Sequence, residues 1–143
     1  MKRLLYLTVA LGLLLPGFAF SAQTAGTNEE QQLIGVLQSN QSPREKDAAC
    51  AKLKRIGTAE SVPALAALLT DEQLSHSARY ALESMPTPKA GQALADALGK
   101  TSGPTQVGII MSLGFRHETR AVPGLAKLLT DQDTQAASNQ SAS

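Results

Sequence analysis

The chain has 143 residues and a mass of 15.0 kDa, with 43% hydrophobic and 3% aromatic residues; this leaves room for one domain and none for a second, catalytic one. Thirteen Lys+Arg face 12 Asp+Glu, and a formal charge of +1 without a basic run gives no electrostatic footprint for nucleic acid. The single Cys50 excludes an internal disulfide framework and any CxxC metal or haem motif.

Lys2 and Arg3 precede an apolar run from Leu4 to Leu15; Pro16 and Gly17 break it, and small residues follow through Ala22. A charged start, a short apolar core and small residues at a cut site predict a secretory signal peptide over residues 1–21. The run falls short of the about 20 residues of a membrane span. Cleavage after Ser21 places Ala19 at −3, whereas cleavage after Ala22 would place the bulky Phe20 there, so the first cut is preferred. Export to the periplasm or the medium follows. Loss of Lys2 and Arg3 leaves 11 basic residues against 12 acidic, and Tyr80 and Phe115 become the only aromatics. A Leu, Ala, Val and Ile core with so few aromatics suits closely packed helices. Cys50, between Ala49 and Ala51, reads as a small buried residue of such a core.

After a short linker over 22–28, the chain repeats itself. Val62-Pro63-Ala64-Leu65-Ala66-Ala67-Leu68-Leu69-Thr70-Asp71 returns 60 positions later as Val122-Pro123-Gly124-Leu125-Ala126-Lys127-Leu128-Leu129-Thr130-Asp131, with eight of ten residues identical. A half-way copy at offset 29 carries Leu53, Ile56 and Leu65 onto Leu82, Met85 and Leu94; a weaker one, offset by 32, sets Leu33, Val36 and Leu37 before Leu65, Leu68 and Leu69. The unit is 29 to 32 residues long, and about three and a half copies fit over 29–133.

Each unit reads as two helices. Val62, Leu65, Ala66 and Leu69 stand at helical spacing in the first, and Ala78, Ala81, Leu82 and Met85 in the second. Ser42-Pro43-Arg44-Glu45 carries the marks of a capping box, Thr87-Pro88 and Gly103-Pro104 repeat the proline-first start, and Pro63 and Pro123 fall within first turns. Nothing alternates with period two for long enough to make a strand, so the predicted fold is all-α. A lone helix pair cannot cover its apolar stripes, so the pairs are expected to stack as a solenoid with an extended concave surface.

Leu53-Lys54-Arg55-Ile56-Gly57 leading into Ser61-Val62-Pro63-Ala64-Leu65, and Leu113-Gly114 leading into Arg120-Ala121-Val122-Pro123-Gly124-Leu125, resemble the HEAT-repeat superfamily in its short bacterial, phycobilisome-lyase-type form. Leu74 to Glu83, followed by Ala97-Leu98-Gly99-Lys100, is similar to exported HEAT-repeat proteins of planctomycete and verrucomicrobial type. The resemblance implies a right-handed α-solenoid acting as a protein-interaction scaffold, with no catalytic residue to carry over. The pattern fails after Asp131: the expected Leu and Ile never come, and 134–143 is a polar tail or a truncated repeat, which favours a chain continuing past Ser143.

Candidate chemistry is sparse. Gly99-Lys100-Thr101 lacks the glycine five residues upstream that a phosphate-binding loop requires, since Leu94 stands there; a helix end explains it. His76 and His117 lie 41 residues apart, with no further ligand at helical spacing, so no metal site is expected. Lys46, Lys52 and Lys54 near Cys50 could lower its thiol pKa, yet on a helix they read as its solvated face. No catalytic residue, metal or cofactor is therefore assigned. Arg79 and Tyr80 are the strongest contact candidates, because Tyr80 sits off the apolar stripe and both residue types concentrate at binding hot spots. His76, Arg116 and His117 are weaker candidates for the same protein-binding role. The expected partner is another protein or a downstream domain of the same chain. Two alternatives stand beside the scaffold reading: an accessory module of a larger secreted enzyme, carbohydrate-active or haem-containing, and a bilin-lyase-like enzyme, against which the signal peptide argues.

Overall fold

A computed structural model describes the backbone of residues 20–141 and the side chains of residues 27–131. These residues form α1 (Phe20–Gln38), α2 (Pro43–Ile56), α3 (Val62–Ala67), α4 (Ser75–Ser84), α5 (Pro88–Ala97), α6 (Gly103–Phe115) and α7 (Val122–Ser141), with 3₁₀ turns before α6 and before α7. No strand occurs among the described residues, so the all-α expectation holds. The described residues make three helical pairs and one further helix. All but the last two residues of the expected signal peptide lie outside the described residues.

The start signals work as their chemistry requires. Ser42 caps α2: its Oγ accepts from Glu45 N at 3.4 Å while the Glu45 carboxylate accepts from Ser42 N at 2.9 Å, closing the capping box. Thr87 Oγ1 accepts from Lys89 N at the head of α5, and Pro43, Pro63, Pro88 and Pro104 occupy first turns where a missing N–H costs nothing. Gly103 opens α6 at φ 56°, a left-handed conformation that glycine adopts without strain.

The even-numbered helices meet in succession, α2 on α4 and α4 on α6, and among the odd-numbered ones α1 meets α3 and α3 meets α5. Between the rows, α3 lies against α4 and α5 against α6. Leu53, Leu65, Leu82, Leu94, Ile109 and Leu113 are all buried, at least one from each helical pair, in one continuous core. Ala78, Ala81 and Ala90 are completely covered, the small side chains letting neighbouring helices approach closely. Cys50 is a buried core residue as expected.

Two boundaries differ from the reading of the sequence. Residues 22–28, read as a linker, belong to α1, which starts at Phe20. At the other end, the helix containing Val122 runs unbroken to Ser141, through the stretch read as a polar tail or truncated repeat. The near-identical first copy stops instead: α3 ends at Ala67, and Leu68 to Thr70 form a turn. The cause lies downstream. Asp71 Oδ1 accepts from Gln73 N and Leu74 N, both at 2.9 Å, and fixes the turn into α4, whose apolar face is then buried. After Asp131 the sequence offers no such face, and the favoured course is to continue the helix.

Candidate functional site

Helix α4 carries the site because it lies between α2 and α6 and displays one side chain on each seam. Tyr80 stands at the α2 side, 40% exposed. Its ring is approached by three basic side chains. The Arg79 Cζ lies 4.5 Å from the ring centroid and the Lys54 Nζ 5.5 Å from it, while His76, one turn earlier, meets the ring edge-on with centroids 4.5 Å apart. Beside this aromatic platform, a shallow cavity of about 220 Å³ is lined by Asp47, Cys50, Ala51, Lys54, His76 and Tyr80. Ser77 donates a hydrogen bond to Asp47 across the same seam, tying α4 to α2.

Arg79 faces the other way and is anchored. Its Nη1 donates to Ser112 Oγ at 2.8 Å and lies 3.5 Å from the Glu83 carboxylate; Ser112 in turn donates to Glu83 Oε2 at 2.5 Å. Ser112 is fully buried, so this triangle is a polar clamp between α4 and α6. Through Nη2, Arg79 also meets His76 Nδ1 at 3.2 Å, which couples the clamp to the exposed ring cluster. His76, Arg79 and Tyr80 thus form one constellation.

Arg116 and His117 do not join it. Arg116 reaches back from the end of α6 and donates to the carbonyl oxygens of Leu82, Glu83, Met85 and Thr87, at 2.6 to 3.1 Å. Its guanidinium gathers the free carbonyls at the end of α4 and in the turn that follows, a structural task. His117 is exposed at φ 52° in the turn after α6, its backbone closing that turn on Gly114. Among the described residues no three His, Cys, Asp or Glu side chains converge as a metal site would require. Burial, followed by the Asp47 charge, pushes the Cys50 thiol up to about 11, so it is no ready nucleophile. Thr101 is engaged as well, donating to Ala97 O at 2.8 Å, and Gly99 and Lys100 lie in a 3₁₀ turn, as a helix end requires.

Asp47 and Ser112 are part of the site or its support and carry no signal of their own in the sequence, whereas Lys54 and Ser77 read there only as a solvated lysine and a neighbour of His76. The repeat itself held the signal: partners across the even-numbered seams stand about one unit apart in sequence, as Asp47 and Ser77 do at 30 residues, and Glu83 and Ser112 at 29. Comparison with protein-family models, with curated proteins and with solved structures finds no match to this chain.

Proposed function

We propose that this chain is an exported, HEAT-like right-handed α-solenoid that binds another protein through the α2–α4 seam, without covalent chemistry, metal or cofactor. The observation that carries the reading is Tyr80: a half-exposed aromatic ring held by His76, Arg79 and Lys54 beside a cavity of about 220 Å³. That volume is below the roughly 300–1,000 Å³ of small-molecule pockets, and suits a single side chain of a protein partner. With Asp47 engaged by Ser77, the Lys54 ammonium beside the ring favours a partner that brings a carboxylate to it. The leader-like N-terminus supports export, and the 29- to 32-residue period supports the solenoid.

Arg79 belongs to the α4–α6 clamp, so a variant that removes it tests folding and binding together. Lys54→Ala/Tyr80→Ala removes one exposed side chain and one half-exposed ring and leaves the α4–α6 clamp in place. This double variant should keep the wild-type far-UV circular dichroism and lose no more than about 2 kcal/mol of stability. It should also lose at least ten-fold in affinity for the partner that the wild type retains. Unchanged affinity in a folded double variant would remove the seam as the binding surface.

A further inference from the structure

We propose that the protein self-associates as a two-fold symmetric dimer, with α6 of one copy packed antiparallel on α6 of the other. The helix carries no charged residue from Gly103 to Phe115. Its outer side nevertheless exposes Val107 (56%), Ile110 (36%), Met111 (69%) and Phe115 (73%), which recur at intervals of three, four and eight and so share one face.

The repeat register identifies what this face is for. Sixty positions earlier, Val107, Ile110, Met111 and Gly114 correspond to Asp47, Cys50, Ala51 and Lys54, the residues with which α2 meets α4. The outer face of α6 is therefore a helix-stacking face, and no further even-numbered helix covers it among the described residues. The same holds in the odd-numbered helices: Val62 and Leu69 are buried, whereas Val122 and Leu129, their counterparts in α7, are 59% and 67% exposed. Where the internal seams carry polar hydrogen bonds such as Ser77 to Asp47 and Arg79 to Ser112, this one is apolar and uncharged.

A second copy is the occupant the face fits best. A two-fold interface sets a surface against itself, and an uncharged face meets its own image without repulsion. Met111 lies midway between Val107 and Phe115, so an antiparallel pair centred on Met111 sets each Phe115 ring against the small Val107 of the other copy. Head-to-tail stacking on α2 is disfavoured, because the exposed Glu45 and Lys52 on the free side of that helix would lose water against a surface that offers them no charged partner. A seam one helix wide, flanked by α7, sits at the small end of stable interfaces, which cover about 800 Å² per partner. A dissociation constant in the micromolar range is expected. This inference does not depend on the binding role of the Tyr80 seam.

Sedimentation velocity of the purified chain from about 1 to 100 µM tests it, spanning the expected range. The wild type should pass from monomer to dimer, and Met111→Glu should stay monomeric throughout with unchanged circular dichroism. Gln32→Glu, an exposed change on α1, should dimerise like the wild type. Under mild oxidation Met111→Cys, next to the axis, should form a covalent dimer, and Val107→Cys alone should not. A wild type that remains monomeric at 100 µM, or a dimer that survives Met111→Glu, would overturn the proposal; so would efficient cross-linking through Val107→Cys, which would place the axis elsewhere.

Discussion

At the scale of single residues, the units are locked together by a few polar or close contacts that pass between neighbours. Glu30 on α1 is 3% exposed, and its carboxylate accepts from Thr58 N at 2.7 Å, in the turn before α3. At the corresponding places two units on, Gly91 on α5 stands for Glu30 and Glu118, before α7, stands for Thr58. The carboxylate now comes from the turn, and the helix supplies the space: a Cβ on Gly91 would overlap the Glu118 carboxyl. Gly91→Ala meets only the end of a flexible side chain, which can turn aside by giving up its pair with Arg120, so stability in urea unfolding should change by less than about 1 kcal/mol. With Glu118→Ala in place, the same Gly91→Ala change should be stabilising, because only the helix-propensity gain of alanine remains.

Cys50 makes a second prediction at this scale. Its thiol titrates near 11 in the fold, above its ordinary value of 9.0, because burial disfavours the thiolate. The unfolded chain binds the proton less tightly, so stability is fully present below pH 9 and declines as pH rises towards 11. In Cys50→Ala this part of the alkaline decline should be absent, which chemical unfolding at pH 8 and pH 10.5 would measure. The native thiol should also resist a disulfide reagent at pH 8 and react at once in denaturant.

At the scale of elements, one sequence has two outcomes. Leu-Leu-Thr-Asp ends a helix at 68–71 and lies inside one at 128–131. Local propensity is the same in both places, so the difference comes from what each segment leads into. Asp71 holds two backbone N–H groups at the turn into α4, whereas Asp131 makes an exposed ion pair with Lys127 at 3.1 Å. Asp71→Ala should cost about 1 kcal/mol, as loss of a cap does. Asp131→Ala should change stability by less than about 0.5 kcal/mol, as exposed pairs do. Equal effects of the two substitutions would contradict this account of the boundary.

The sequence carried the helix pairs because capping serines, first-turn prolines and apolar spacing are local signals, and Ser42, Thr87 and Pro104 act where they predict. It also carried Tyr80 as an off-stripe aromatic. The role of Arg116 was not legible in that way. Reading it as a surface residue is natural in a loop, yet the carbonyls it gathers, from Leu82 to Thr87, lie about 30 residues away. Such a contact appears only once α4 and α6 are side by side. The extent of α7 was hidden for the converse reason, since a helix end depends on the cover available to the segment that follows.

At the scale of the whole molecule, the described residues build three helical pairs and a final helix around a leucine and alanine core. The polar, aromatic seam at Tyr80 and the apolar face of α6 lie on opposite sides of α4. No helix among the described residues is long and apolar enough to cross a membrane. The α2–α4 seam is proposed to hold a protein partner. Its most direct test is site-specific photo-cross-linking in the producing cells, with a photoreactive phenylalanine analogue in place of Tyr80 and, as control, in place of Gln92, exposed on α5. The expected result is one discrete adduct with a second protein from position 80 and none from position 92. No adduct from position 80, or the same products from both positions, would contradict it.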